Sequence, residues 1–231
     1  MKYPLLLFFA LLFHCSQSQY LIVTNEWLLG QVDYATDVRF KTIPKIYASK
    51  ENLKLYNTAL DSLIKMIGQA KKEGIELKVI SAVRSFGDQR RIWNTKYDER
   101  KAKFKNDVDI AKDILQYSSM PGTSRHHWGT DIDLNSLSPE YFTKGKGKKE
   151  YEWLCLNAER FGFYQPYSAD KNRTGYQSEP WHWSFYPISQ QLLQVYNQNI
   201  NYRNLVGFKG SSAAITLEVI KNYVNGIAIA P

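Results

Sequence analysis

Apolar residues recur along this chain in two rhythms, one suited to helices and one to short strands. From Lys50 onward, Leu53, Tyr56, Leu60, Leu63, Ile64 and Ile67 return at steps of three and four, the spacing of one helix face. Ser49 is placed to cap that helix and Gly74 to end it. In the IELKVIS that follows, Ile75, Leu77 and Val79 alternate with Glu76 and Lys78, which predicts a half-buried strand with Arg84 near its end. Ser85 followed by Asp88 predicts a capped helix from about Phe86, with Gln89 in its first turn. A further helix is expected over Asp109 to Tyr117, then a loop in SSMPGTS. TDIDL alternates again, so Ile132 and Leu134 share one face of a strand while Asp131 and Asp133 share the other.

Residues 137–149 are rich in Gly and Lys and are expected as a loop. KEYEWLCLNAERFG reads as a helix ended by Gly162, with Cys155 on its apolar face as a buried structural thiol. FGFYQPY starts a strand and NRTGYQS is a turn. WHWSFY is a short strand that Pro187 ends, and a helix covers Ile188 to Asn197. Few short strands among helices predict an α+β fold: a small, mainly antiparallel sheet with helices packed on it. Residues 19–48 alternate weakly and are expected to wrap the domain irregularly. The catalytic domain is placed at 49–200, with a helical C-terminal extension at 201–231 packed on it.

At 231 residues the chain suits one sizeable domain. The N-terminus changes the compartment assigned to it. Lys2, the apolar run over residues 4–13 and the small Ser16 and Ser18 predict a secretory signal peptide over residues 1–18. Ten apolar residues are too few to span a bilayer, so the mature chain is expected to have no transmembrane segment. Leu12 three residues before Cys15 suggests lipidation as an alternative, although His14 fits that motif poorly. With Cys15 in the leader, Cys155 has no partner for a disulfide. The expected location is the periplasm or cell envelope. A net charge of +8 attracts acidic polymers, and export favours an anionic cell-wall polymer or membrane surface over nucleic acid.

The candidate chemistry lies in SRHHWGTDIDL and SEPWHW. His126 and Asp133 flank Gly129, where a turn can bring both side chains to one point. Two imidazoles, a carboxylate and an open position suit one catalytic Zn2+. Of the four histidines, His14 lies in the leader and His127 adjoins His126, which leaves His182 as the third ligand. Glu179, three residues before His182, is placed to move a proton for an activated water. Pro180 between them allows the bend that a straight strand would forbid. His127 is expected beside the site or at the surface. Trp128, Trp181 and Trp183 suit either a cleft wall or the core.

Together these stretches resemble the VanY-type D-alanyl-D-alanine carboxypeptidases, zinc peptidases that act on peptidoglycan. Ser124, His126, Gly129 and Asp133 match the pattern Ser-x-His-x-x-Gly-x-Ala-x-Asp, and Glu179, Trp181 and His182 match Glu-x-Trp-His. Ser81, Arg84, Ser85 and Gln89 match Ser-x-x-Arg-Ser-x-x-x-Gln. The resemblance covers roughly residues 50–186. It implies zinc on His126, Asp133 and His182 at the sheet, with Glu179 as general base and acid. It also implies that Arg84 stabilises the carbonyl oxygen or holds the substrate carboxylate, with Gln89 and Ser124 as further substrate contacts. Asp131 departs from the pattern, where alanine is usual. Being on the face of Asp133, it can accept the outer ring N–H of a ligand histidine, stand as a solvated acid, or compete as the ligand, although the pattern favours Asp133. The implied activity is D,D-carboxypeptidase trimming of peptidoglycan stem peptides by a zinc-activated water. L,D-carboxypeptidase or endopeptidase action and a non-catalytic zinc-containing wall-binding protein are the alternatives. Loops 98–121 and 137–149 would shape the substrate pocket.

Overall fold

The computed structural model describes residues 21–231; the expected signal peptide, with Cys15, lies outside the described residues. Thr24 caps α1 (Asn25–Leu28) by accepting the Trp27 N–H. Trp27 and Leu28 are fully buried, and the Trp27 and Trp128 indoles each donate to the other segment's backbone, at Trp128 O and Leu28 O. β1 (Phe40–Thr42) then pairs antiparallel with β2 (Lys54–Tyr56), with Phe40 opposite Tyr56. The segment expected as an irregular wrap is therefore part of the core.

The β1–β2 pairing also moves the first long helix. α2 spans Asn57–Lys72 and does not start at Lys50, because residues 54–56 are held in the hairpin. Its buried residues, among them Leu60, Leu63, Met66 and Ile67, follow the predicted stripe, and Gly74 turns the chain away at φ +75°. β3 (Val79–Ser81) follows. The Ser85 hydroxyl accepts the Asp88 N–H and starts α3 (Phe86–Arg100). Asn106 caps α4 (Asp107–Ile114) in the same way, two residues earlier than the apolar pattern suggested.

β4 (Asp131–Leu134) is followed by α5 (Gly145–Asn157), β5 (Phe163–Tyr164) and β6 (His182–Phe185). The sheet order is β3-β4-β6-β5, and every pairing is antiparallel. α6 (Tyr186–Asn199), with Pro187 in its first turn, packs Leu192 and Tyr196 into the core. The last segment contributes a 3-10 turn at Tyr202–Asn204, the short α7 (Ala213–Thr216) and a π turn at Ile220–Val224. Leu205, Phe208, Ala213 and Val219 are buried in the same core, and the Trp93 indole donates to Lys209 O. This architecture is the expected α+β fold with a small antiparallel sheet.

Two further expectations are corrected. Residues 137–149 are not one loop: a 3-10 turn covers Pro139–Thr143 and α5 begins at Gly145. Gly147 seats the helix directly on Tyr141, whose carbonyl oxygen would lie 2.1 Å from any Cβ there. Cys155 is exposed, because α5 buries Gly147, Glu150, Trp153 and Leu154 and turns the next two residues outward. No helix among the described residues is long and apolar enough to cross a membrane.

Candidate metal centre

β4 and β6 set the frame. Asp133 lies opposite His182 and Asp131 opposite Ser184, so the acids on one face of β4 meet the polar side chains of β6. Ile132 and Leu134 on the other face are fully buried in the core. A 3-10 turn at Arg125–Trp128 leads into β4 through Gly129. This glycine has φ +72°, and a Cβ on it would lie 2.4 Å from the Phe40 ring. The tight turn brings His126 back over Asp133. Beyond Pro180, the His182 N–H donates to Glu179 O at 3.1 Å, closing the turn that puts Glu179 and His182 on one side.

Ligand-type atoms of His126, Asp133 and His182 lie within 4.8 Å of one another, and all three residues are buried. Hydrogen bonds decide which ring nitrogens point inward. His126 Nδ1–H donates to Ala82 O at 2.8 Å, leaving Nε2 facing Asp133 Oδ2 at 3.4 Å. His182 Nε2–H donates to Asp131 Oδ2 at 2.9 Å, leaving Nδ1 3.2 Å from Asp133 Oδ1. Two imidazole nitrogens thus converge with a carboxylate, and Asp133 Oδ1 is buried without an aligned hydrogen-bond donor. That donor set fits Zn2+, which takes histidine nitrogen and carboxylate oxygen and keeps a position open in catalytic sites.

The electrostatics agree. Burial pushes the Asp133 carboxyl up, but His126 and His182 outweigh it and hold Asp133 well below the usual carboxylate range. Burial works against charge on His182, yet Asp131 and Asp133 push its pKa up to about 9. Burial raises Glu179 to about 8 despite His182 and Arg84 nearby. Glu179 Oε2 stands 3.6 Å from His182 Nδ1. Its backbone is pinned by its own N–H to Tyr167 O at 2.9 Å and by Gln165 Nε2 to its carbonyl at 3.0 Å.

Arg84 enters from the end of β3. Its Nη1 donates to Gln89 Oε1 at 2.9 Å and its Nη2 to Ser81 Oγ at 3.0 Å, with Asp133 Oδ2 3.6 Å away. Gln89 is fully buried and passes its own N–H to Ser119 O at 2.7 Å, so it anchors Arg84. The Ser124 hydroxyl is buried without a partner and lines the cleft. That cleft has a volume of about 520 Å³ and opens beside the cluster, with Lys96, Tyr117, Leu137 and Trp181 in its walls. Both segments expected to shape the pocket reach it. Trp181 lines it, while Trp128 and Trp183 belong to the core.

His127 does not face the cluster. It is fully buried, its Nδ1–H donating to Arg84 O at 2.6 Å and its Nε2 accepting the Gly122 N–H at 3.1 Å. It braces the backbone of Arg84, which corrects the surface alternative. Sequence reasoning also missed Arg125, whose Nε lies 3.0 Å from Asp131 Oδ2 in the interior. The available signal was Asp131 itself: a buried acid where the pattern has alanine needs a cation, and Arg125 is the nearest one in sequence.

The family model VanY, D-alanyl-D-alanine carboxypeptidase, matches residues 52–188. The chain is 31% identical over 132 residues to a D-alanyl-D-alanine carboxypeptidase of Enterococcus faecalis, covering 57% of this chain and 47% of that protein. It is 34% identical over 178 residues to YodJ of Bacillus subtilis, provisionally named a carboxypeptidase, covering 71% of this chain and 55% of that one. The chain thus spans about half the length of these curated relatives. Among solved structures it is similar to a zinc-bound variant of the vancomycin-resistance D,D-pentapeptidase VanY. The identity is 26% and the TM-score 0.51, covering 79% of this chain and all of that one. The LdcB LD-carboxypeptidase, at 22% identity and a TM-score of 0.52, covering 83% of this chain and 79% of that one, shares the fold. The family match runs continuously from the strand before α2 to the start of α6 and takes in the whole cluster, so the chain belongs to the VanY family.

Proposed function

We propose that this protein is a zinc metallopeptidase that removes the C-terminal D-alanine from peptidoglycan stem peptides. One observation carries the reading. Two inward-facing imidazole nitrogens and Asp133 converge beside a buried Glu179, at the foot of a cleft also lined by Arg84. A Zn2+ held by His126 Nε2, Asp133 and His182 Nδ1 would supply Lewis-acid activation of water and of the scissile carbonyl. Glu179 takes a proton from the attacking water and returns it to the leaving amine nitrogen. Burial around Glu179 favours its neutral form, which readies the carboxyl to hold the proton between the two transfers. Arg84, held by Gln89 and Ser81, presents a fixed guanidinium to the carbonyl oxygen as it gains charge, or to the substrate carboxylate. Ser124 offers its unpaired hydroxyl to the substrate. The basic chain and its leader-like residues 1–18 support export to the envelope, where these substrates lie. Lipidation at Cys15 is the anchored form of the same reading.

The test is digestion of purified muropeptides by the zinc-loaded protein, with products weighed by mass spectrometry. Loss of one terminal alanine from a pentapeptide stem is the expected product. Loss of the terminal residue from a tetrapeptide stem alone would assign L,D-specificity, and a split crosslink an endopeptidase. Glu179→Ala should keep zinc and lose about 10² to 10⁴ in turnover. Unchanged muropeptides with zinc bound would overturn the reading in favour of a wall-binding protein.

A further inference from the structure

Two carboxylates share the inward face of β4, and they are treated differently. Asp131 is saturated: its Oδ2 meets Arg125 Nε at 3.0 Å and His182 Nε2 at 2.9 Å. Its Oδ1 accepts Thr130 Oγ1 at 2.6 Å and Ser184 Oγ at 2.9 Å. Four donors fill the lone-pair sites of an ionised carboxylate. Asp133 is open, with Oδ1 lacking an aligned donor and its nearest arginine at 3.6 Å. Arg125 is the charge partner among these four donors. Its side chain is 1% exposed against 0% for Asp131, so the ion pair sits wholly inside the protein. The guanidinium is held from two further sides: Nη2 donates to Ser184 Oγ at 2.7 Å, and Cζ lies over the Trp128 ring, 4.8 Å from its centroid.

We infer that Arg125 is a positioning residue for the metal site: it neutralises Asp131 and holds it as the acceptor for His182 Nε2–H, so that Asp133 alone serves as the carboxylate ligand. The inference rests on the metal reading above. Without Arg125, Asp131 would keep its bonds to His182, Thr130 and Ser184 but would be a buried anion with no charge partner, free to shift away from His182 Nε2. With Arg125, the same group fixes His182 in the tautomer whose Nδ1 faces the cluster. Arg125 itself contacts none of the three candidate ligands through its side chain; its effect passes through Asp131.

The test uses the full mature chain as Arg125→Met, Asp131→Ala and the double variant. Zinc affinity is measured by chelator competition, and the visible spectrum of the Co2+-loaded protein reports the ligand set. Asp131→Ala should weaken zinc about 10- to 100-fold, the usual loss for a group that orients a ligand. Arg125→Met should weaken zinc by at least about tenfold on the same grounds and shift the Co2+ spectrum. In the Asp131→Ala background the same substitution should cause no further loss of zinc affinity; it removes a buried guanidinium left without a charge partner, so any change is toward tighter binding. Arg125→Lys keeps the charge and should restore zinc affinity to within a few fold; if Arg125→Met does not fold, Arg125→Gln is read in its place, with the same loss expected. Equal losses from Arg125→Met in both backgrounds, or an unchanged affinity and spectrum, would overturn the inference. Failure of the metal reading looks different: the parent protein would bind no zinc, or His126→Ala would bind as well as the parent.

Discussion

Replacing His127 by phenylalanine tests how the interior is wired. The ring is fully buried and makes two hydrogen bonds to backbone, donating to Arg84 O and accepting from Gly122 N–H. Only the neutral imidazole can do both, and burial accordingly lowers its pKa from the ordinary 6.5 to about 3. Phenylalanine fills similar space but leaves a buried C=O and a buried N–H unpaired, at about 1–3 kcal/mol each. The expected loss at pH 7 is therefore about 2–6 kcal/mol, a large share of a typical domain's stability. The pH dependence carries the sharper test. The folded pKa is depressed, so between about pH 6.5 and pH 3 the unfolded chain binds a proton at His127 that the folded protein does not. The parent's advantage from this ring is complete above pH 6.5 and shrinks as pH falls, by about 1.4 kcal/mol per pH unit. Urea denaturation of metal-free parent and His127→Phe at pH 6 and pH 4 should show the gap narrow by roughly 3 kcal/mol. Taking the difference cancels the other titrating groups that both proteins share. A gap that stays constant with pH would refute the buried neutral histidine, and a variant as stable as the parent would refute the bracing role.

The ligand assignment predicts a zinc content of about one per chain. His126→Ala, His182→Ala and Asp133→Ala should each lose the metal by elemental analysis while His127→Ala keeps it; zinc loss from His127→Ala alone would break the assignment. Gly129→Ala should lower the melting temperature and zinc affinity together, since φ +72° and the Phe40 ring 2.4 Å from the added Cβ both oppose it. A variant with parental melting and affinity would show that the turn tolerates a side chain.

The strands and helices that were legible announce themselves locally. TDIDL alternates within five residues, and Ser85 with Asp88 is a complete cap, so β4 and the start of α3 needed nothing distant. The candidate cluster was legible for a related reason: His126 and Asp133 flank one glycine, and Glu179 and His182 flank one proline. What was not legible depends on partners remote in sequence. Tyr56 fits a helical stripe as well as a strand, and only pairing with β1 settles the choice. Gly145 and Gly147 look like loop residues, yet close seating on Tyr141 keeps a helix there. Cys155 follows a run of apolar neighbours but sits just off the buried face. His127 read as a surplus histidine because its partners are the backbone of Arg84 and Gly122, which no side-chain pattern reveals.

The interior charges explain why this region tolerates so much polarity. Burying an ion costs several kcal/mol unless its neighbours return it. Asp131, Asp133 and Glu179 are all buried around His182, and Arg125 and Arg84 stand against them. With all three acids ionised, the two arginines leave one negative charge unbalanced. In the metal-free protein a single proton balances that charge, and His182, raised to about 9 because its two aspartate partners outweigh burial, is placed to hold it. Because Arg125 is committed to Asp131, the unbalanced charge collects at Asp133 and Glu179, on the cleft side of His182. A divalent cation between His126, Asp133 and His182 answers the same demand, and it must displace the His182 Nδ1 proton to do so. The fold therefore puts its attraction for a cation at the foot of the cleft, and behind His182 it pairs the second carboxylate with Arg125.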